Sequence, residues 1–239
     1  MTSFQETLNA IRDARSRREL WSIALGYYRN HGIDKVSYHS ADTQLHKGGV
    51  RADGFPEDWV CHYIGDGLSK VDPIPGLAAR MTAPFHWSEA ASLAEMTPEN
   101  TAYLAELADS IPGDGLAFTA FGPRLRNAYI GLGYDSPRFH PSSQLVLEFQ
   151  TVAQMGHLRW CQFSDDEETP LARLSPREQQ TLELAAQGKS NSVIADILGI
   201  SPHTVDTLMR RTYDKLGVAD RTSAAIKALG SGLVQFSVT

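Results

Sequence analysis

Residues 174–218 read LSPREQQTLELAAQGKSNSVIADILGISPHTVDTLMRRTYDKLGV, and this stretch carries the clearest fold signal in the chain. Ser175 and Glu178 have the spacing of a capping box, in which each side chain satisfies a backbone donor at a helix start. Ser201 followed by Pro202 marks another start, because proline at the first helical position lacks only an N–H that has no partner there. Such signals predict four helices, at 175–187, from 190, from 202 and at 223–229.

A three-residue turn, Gly199 to Ser201, joins the second and third predicted helices. Their spacing predicts these buried side chains: Val193, Ile194, Ile197, Leu198, Val205, Leu208, Met209 and Leu216. The opposite face of the third helix is polar. Two short helices joined in this way form a helix-turn-helix, whose second helix enters the major groove of DNA. By periodicity alone, a generic small helical bundle remains an alternative.

The motifs of this segment resemble the DNA-binding domain of LuxR-type regulators over roughly the last 65 residues. The resemblance is carried by LSPRE at 174–178, AQGKSN at 186–191, IADILGIS at 194–201 and KLGV at 215–218. It implies phosphate contacts from Lys189, Ser190, Thr204 and Arg211, and base contacts from Asp206 and Arg210. A carboxylate at position 206 accepts from cytosine N4 but repels phosphate, so we expect an unusual operator.

Charge and composition divide the chain near SDDEETP at 164–170. Consecutive acidic residues cannot pack in a core, and Pro170 disfavours helix at the residue before it. Residues 170–239 hold 8 basic and 6 acidic side chains, a net charge of +2. The rest of the chain carries a net charge of −8, which gives −6 for the whole chain. We therefore predict a first domain at 1–163, a linker at 164–172 and a second domain at 173–239.

The first domain alternates helices and strands. Residues Trp21 to Tyr28 have the spacing of an amphipathic helix, and Lys35–Ser40 reads as a strand. Further helices are predicted at 57–64, 98–109 and 141–161, and further strands at 115–121 and 127–134. This order predicts an α/β/α sandwich with a ligand cavity between its sheet and one helical layer. The whole chain is thus expected to be α+β, with an all-α four-helix helix-turn-helix domain at its end.

Several side chains in this domain have the chemistry of a polar ligand site. Trp59 and Tyr63 are four residues apart on one helical face, so an indole N–H and a phenol O–H share one space. Asp72 precedes Pro73, which restricts the direction of its carboxylate. Trp87 offers a broad apolar wall. The alternative interpretation treats these aromatic residues as ordinary core and the Asp-Pro pair as a turn.

The segments FPEDWVCHY at 55–63, VDP at 71–73 and PFHW at 84–87, together with Gly115, resemble the autoinducer-binding domain of quorum-sensing LuxR-type receptors. The resemblance extends through most of residues 15–160 and implies an N-acyl homoserine lactone as ligand. It assigns Trp59 to the lactone carbonyl, Asp72 to the amide N–H and Tyr63 to the acyl carbonyl. Trp87 then packs near the lactone ring.

The acyl end of the pocket is expected to be narrow. Alternation along the first strand places Ser37 and His39 on the pocket face. On the later strand Asn127, Tyr129 and Gly131 are expected to point inward, and Ala117 and Gly131 lack the hydroxyls that some relatives use. Because Tyr129 is bulky, we hypothesise a short, oxidised or aromatic acyl group, or a related non-lactone signal.

Other function classes find little support. Cys61, His62, His39 and His46 lack metal-ligand spacing, and no nucleophile or phosphate-loop motif occurs, so we expect no metal, cofactor or catalytic residue. The polar N-terminus and the lack of a long apolar run predict a cytoplasmic protein with no membrane contact. We expect a homodimer on a roughly palindromic operator, formed through helices 141–161 and 223–229. A ligand-independent orphan regulator and a heterodimerising antagonist that does not bind DNA remain alternatives.

Overall fold

A computed structural model describes residues 2–40, 49–136, 139–165 and 173–234. These residues group into two compact units, one up to residue 165 and one from residue 173. The last helix of the first unit continues to Asp165, past the predicted start of the linker at 164. The rest of that predicted linker, 166–172, lies outside the described residues. Across the described ranges, no helix combines the length and the apolar character needed to cross a membrane.

The first unit contains seven helices and five strands in its described part. In chain order they are α1 (Phe4–Asp13), α2 (Arg17–Asn30), β1 (Lys35–Ser40), β2 (Gly49–Asp53), α3 (Glu57–Gly65), α4 (Ile74–Ala78), β3 (Phe85–His86), α5 (Ala90–Leu93), α6 (Pro98–Ser110), β4 (Asp114–Ala120), β5 (Ala128–Tyr134) and α7 (Ser143–Asp165). Single 3₁₀ turns lie at Leu68–Lys70, Trp87–Glu89 and Pro123–Leu125. Sequence patterns predicted α2, β1, α3, α6, β4, β5 and α7.

The five strands form one antiparallel sheet in the order β2-β1-β5-β4-β3. One face packs against α1, α2 and α7 in a core that includes Val36 and Tyr38. The other face packs against α3, α4 and α6 in a second core. The sheet is therefore covered on both sides, as the α/β/α prediction required.

The strand β5 begins one residue later than predicted, which changes the position of Asn127. Its carboxamide oxygen accepts a hydrogen bond of 3.2 Å from the Gly122 N–H, across the turn between β4 and β5. The expectation that Asn127 points into the pocket is wrong, because its side chain closes this turn instead.

The second unit consists, in its described part, of four helices: α8 (Pro176–Ala186), α9 (Asn191–Leu198), α10 (Pro202–Leu216) and α11 (Arg221–Ser231). Ser175, Ser190 and Ser201 cap the first three starts, as predicted. The fourth helix begins earlier than predicted, because Asp220 is its N-cap and accepts from the Ser223 N–H.

The expected burial on α9 and α10 holds only in part. Val193 and Ile197 are 41% and 53% exposed. The eight-residue helix α9 turns only Ile194 and Ala195 fully into the core. Leu198 is half-buried and packs against that core, whereas Val193 and Ile197 lie on the surface. Leu208, expected to be buried, is half-buried.

Glu178 links α8 to α10 through a buried carboxylate. Lys215 donates to it at 2.6 Å, and the Ser175 N–H donates at 2.7 Å. Burial alone would raise the pKa of Glu178, but these hydrogen bonds outweigh it and lower the pKa. The carboxylate therefore stabilises the unit above its ordinary titration range, and this contribution is lost as the pH falls through the lowered pKa.

Replacing Glu178 with glutamine is expected to speed amide hydrogen exchange in α8 and α10 about 10- to 150-fold at neutral pH. The reason is that a charge-assisted hydrogen bond in a buried site contributes about 1.5–3 kcal/mol. Exchange is measured on the full chain by mass spectrometry, and the exposed Asp214→Asn serves as the control. Equal exchange in the two variants would contradict the assignment.

Candidate functional site

A cavity lies between the sheet and the layer formed by α3, α4 and α6. It contains about 470 Å³ of empty space, part of which is continuous with solvent. Its wall is made by Ser37, His39, Val50, Ala52, Phe55, Trp59, Val60, Tyr63, Asp72, Ile74, Trp87, Tyr103, Leu107 and Tyr129. Seven of the ten residues that the sequence predicted to face the pocket are in this set.

Asp72 is the polar centre of the cavity. The Tyr63 hydroxyl donates to its Oδ2 at 2.9 Å, and the Ile74 N–H donates to its Oδ1 at 2.9 Å. Burial raises the pKa of Asp72 to about 6, although the hydrogen bonds from Ile74, Tyr63 and Tyr103 oppose that rise. At neutral pH the cavity thus holds a buried carboxylate, whose remaining lone pairs can accept from a ligand N–H.

The helix α3 carries Trp59 and Tyr63, one turn apart and both buried. The Trp59 ring lies 6.3 Å from the ring of Tyr103. Because the Tyr63 hydroxyl donates to Asp72, its proton is engaged within the protein. To donate to a ligand carbonyl, Tyr63 must exchange that bond for the new one.

Trp87 lies flat against three glycines of the sheet. A Cβ atom built on Gly115 would come within 2.5 Å of the indole, and one on Gly133 within 2.9 Å. One on Gly131 would lie 3.2 Å away. The buried indole N–H has no well-aligned hydrogen-bond partner among the described residues. The Trp87 side chain nevertheless interacts with the Tyr129 hydroxyl: burial raises the pKa of Tyr129, and this interaction lowers it in part.

Ser37, His39 and Tyr129 form the wall on the sheet side. The His39 ring lies 5.5 Å from the ring of Tyr63 and 4.9 Å from that of Tyr129. Burial lowers the pKa of His39 to about 4, so this imidazole is neutral at pH 7. The Tyr129 hydroxyl interacts with the Ser37 hydroxyl. This wall is therefore uncharged and aromatic.

Two predicted contact residues, Ala117 and Gly131, do not line the cavity. Both belong to the sheet beneath it and are register partners on β4 and β5. Larger side chains of the second core cover them: a Cβ atom built on Gly131 would lie 2.7 Å from the Tyr129 hydroxyl oxygen. Direct contact of these two residues with a ligand stays a prediction, although the small size of Gly131 leaves room for the Tyr129 hydroxyl.

Tyr103 is the main pocket residue that sequence reasoning missed. It lies on α6 and hydrogen-bonds to Asp72. Its four-residue spacing to Leu107 indicates a buried helical face, but that spacing does not distinguish a core residue from a cavity wall.

The six side chains predicted to contact DNA all lie on the surface of the second unit. They are Lys189, Ser190, Thr204, Asp206, Arg210 and Arg211. The Ser190 hydroxyl accepts from the Val193 N–H at the start of α9, and the Thr204 hydroxyl lies 2.9 Å from that of Ser201 at the start of α10. Lys189 and Ser190 precede α9, whereas the other four are on α10. The exposed surface of the helix-turn-helix therefore carries basic side chains and the N-termini of α9 and α10.

Comparison with known proteins agrees with both halves of this architecture. Residues 16–160 match the family described as the autoinducer binding domain, and residues 172–228 match the bacterial regulatory proteins of the luxR family. The quorum sensing-dependent transcriptional regulator RpaR of Rhodopseudomonas palustris is 31% identical over 184 residues, which are 77% of this chain and 74% of RpaR. The transcriptional activator BjaR1 of Bradyrhizobium diazoefficiens is 28% identical over 180 residues, 75% of this chain and 74% of BjaR1.

Among solved structures, Escherichia coli SdiA has a TM-score of 0.74 at 20% identity, covering 96% of this chain and 97% of SdiA. A second SdiA structure, in complex with octanoyl-rac-glycerol, also has a TM-score of 0.74, with 19% identity and coverage of 98% and 96%. At this level of identity the similarity supports the fold. The two family matches together span most of the sequence. The chain therefore belongs to the LuxR family of quorum-sensing transcriptional regulators, with an autoinducer-binding domain followed by a LuxR-type helix-turn-helix domain.

Proposed function

We propose that this regulator binds an N-acyl homoserine lactone, or a closely related acyl signal, in the cavity around Asp72. The observation that carries the proposal is a buried carboxylate beside Trp59 and Tyr63, in a cavity whose other lining side chains are uncharged at neutral pH. A ligand amide N–H adds a further donor for Asp72 beside Ile74 and Tyr103, and a buried charge is less costly the more fully it is hydrogen-bonded. The Trp59 indole then donates to the lactone carbonyl and Tyr63 to the acyl carbonyl, while Trp87 packs on the ring.

The acyl group that best suits this cavity is short, oxidised or aromatic. His39 and Tyr129 lie edge to face at 4.9 Å across the sheet-side wall, where a long flexible chain would need space. Ser37 and Tyr129 offer hydroxyls to an oxidised group. If the protein prefers an unsubstituted acyl chain of twelve or more carbons, this assignment is contradicted.

The second unit supports binding to DNA through α10. In this proposal Lys189, Ser190, Thr204 and Arg211 contact phosphates, and Asp206 and Arg210 reach base edges in the major groove. Exposed apolar side chains support a homodimer: Leu147 and Met155 on α7 are 56% and 39% exposed, and Ile226 on α11 is also exposed. A dimer would bind a roughly palindromic operator, because half-site symmetry follows protein symmetry.

The proposed role is binding, with no catalytic residue, cofactor or metal assigned. Ligand that fills the cavity favours the folded dimer by mass action. The site of action is the cytoplasm, where the operator DNA of a bacterium lies. If the protein is instead a ligand-independent regulator, protein purified without any lactone will bind its operator as tightly as the ligand-bound form. If it is an antagonist that does not bind DNA, its association with operator DNA will show no steep dependence on salt concentration.

Replacing Trp59 with phenylalanine is expected to weaken lactone binding about 5- to 150-fold. The ring keeps the apolar contact but removes the N–H donor, which leaves a buried carbonyl without its hydrogen bond. Binding is measured by calorimetry, with Trp21→Phe on the opposite side of the sheet as the matched control. Unchanged affinity in Trp59→Phe, with both variants folded, would exclude the assigned contact.

A further inference from the structure

A directed chain of hydrogen bonds crosses the surface of the second unit and ends at Asp206. The Arg221 guanidinium on α11 donates to the Asn191 Oδ1 at 2.8 Å. The Asn191 amide group then donates to the Asp206 Oδ1 at 2.5 Å. The same guanidinium also donates to the backbone carbonyls of Lys189 and Ala185, which fixes it to the end of α8 and the loop before α9.

The polarity of this chain admits one arrangement. Arginine only donates hydrogen bonds, and an ionised carboxylate only accepts them. Asn191 lies between the two, so its carbonyl must face Arg221 and its amino group must face Asp206. An amide whose orientation is ambiguous in isolation is therefore fixed by its partners.

This arrangement determines what Asp206 can recognise. One carboxylate oxygen is held by Asn191, while the exposed side chain keeps its other oxygen for a partner outside the protein. A carboxylate in the major groove accepts from the amino group of cytosine N4. Arg221 lies two hydrogen bonds behind, where its positive charge offsets part of the repulsion between Asp206 and DNA phosphates.

We propose that Asn191 is a specificity-determining positioning residue of the operator reader: it orients Asp206 toward a cytosine, and Arg221 orients Asn191 in turn. The inference rests on the proposed function, in which α10 enters the major groove. It adds two residues, from α9 and α11, to a recognition surface otherwise assigned to α10 and the loop before α9.

A double-mutant cycle tests the proposal. The full-length protein with bound lactone is first used to select its operator from random DNA. Affinities of the wild type, Asn191→Ala, Asp206→Ala and the double variant are then measured on that operator, on every single-base variant and on unrelated DNA. We expect Asp206→Ala to lower discrimination at one C·G pair in each half-site by about 5- to 150-fold. Asn191→Ala should lower it there by about 3- to 10-fold.

The cycle separates a positioning role from a direct or structural one. If Asn191 acts through Asp206, its replacement has no further effect in the Asp206→Ala background, and the salt dependence on unrelated DNA is unchanged. Additive losses, or a weaker salt dependence in Asn191→Ala, would show that Asn191 itself contacts DNA and would overturn the proposal. Faster hydrogen exchange throughout α9 and α10 would assign it a role in folding and would equally overturn it. A wild type without sequence-specific binding would instead refute the proposed function.

Discussion

Replacing Asp72 with asparagine is expected to stabilise the ligand-free protein at pH 7.5 and, at the same time, to weaken lactone binding. Burial raises the pKa of Asp72 from 3.8 to about 6. At about 1.4 kcal/mol per pKa unit, the ionised carboxylate destabilises the folded state by roughly 3 kcal/mol at neutral pH. Asparagine keeps the shape and can accept from the Ile74 N–H, but it carries no charge.

The pH dependence follows from the direction of this shift. Between pH 3.8 and about 6 the folded state binds more protons than the unfolded chain, so the contribution of Asp72 to stability falls as the pH rises through this window. Above about pH 6 the ionised Asp72 carboxylate destabilises the folded state by the full amount. In Asp72→Asn this component is absent.

Denaturant unfolding followed by tryptophan fluorescence measures the effect, because all four tryptophans lie in the first unit. The stability difference between variant and wild type should grow between pH 4 and 6 to about 1–3 kcal/mol. Lactone affinity should fall about 10- to 100-fold, since an ionised acceptor is lost. A variant less stable than the wild type at pH 7.5 would contradict the assigned environment of Asp72.

Replacing Gly115 with alanine is expected to destabilise the first unit by about 1–3 kcal/mol and to impair ligand binding. The added methyl would lie within 2.5 Å of the Trp87 indole, a rigid ring that also rests against Gly131 and Gly133. Overpacking of this kind forces the ring or the backbone to move. Trp87 would then tilt away from the sheet and into the cavity.

Gly26→Ala is the matched control, because a Cβ there meets nothing within 4 Å. In the middle of α2, alanine should be neutral or stabilising by up to about 1 kcal/mol. Thermal unfolding of both variants, followed by tryptophan fluorescence, measures the difference. Equal midpoints for the two substitutions would show that Gly115 has no steric role.

Local signals predicted most of the fold. Side-chain caps marked the starts of α8, α9 and α10, and strand alternation correctly separated Ser37 and His39 from Val36 and Tyr38. Caps and alternation depend on neighbours in sequence, so a single sequence contains them. A capping box of Ser3 with Glu6 also marks the start of α1, a helix that is absent from the predicted elements.

The missed features depend on contacts between distant segments. The burial of Val193 and Ile197 was overestimated, because periodicity shows which residues share a face but not how wide the covered face is. Tyr103 reaches Asp72 only because α3 and α6 contribute side chains to the same core. Asn191 and Arg221 meet across 30 residues. No local pattern records such pairs, and a tertiary structure is needed to find them.

Hydrogen exchange of the purified full-length protein, with and without each member of a panel of N-acyl homoserine lactones, tests the central claim most directly. The panel runs from short and branched to aromatic and long acyl groups. The account predicts that a short, oxidised or aromatic member slows exchange in α3, around Asp72 and in β5, and that Trp59→Phe shifts this protection to higher ligand concentration. Protection confined to the opposite face of the sheet, or no protection by any lactone at saturating concentration, would contradict it.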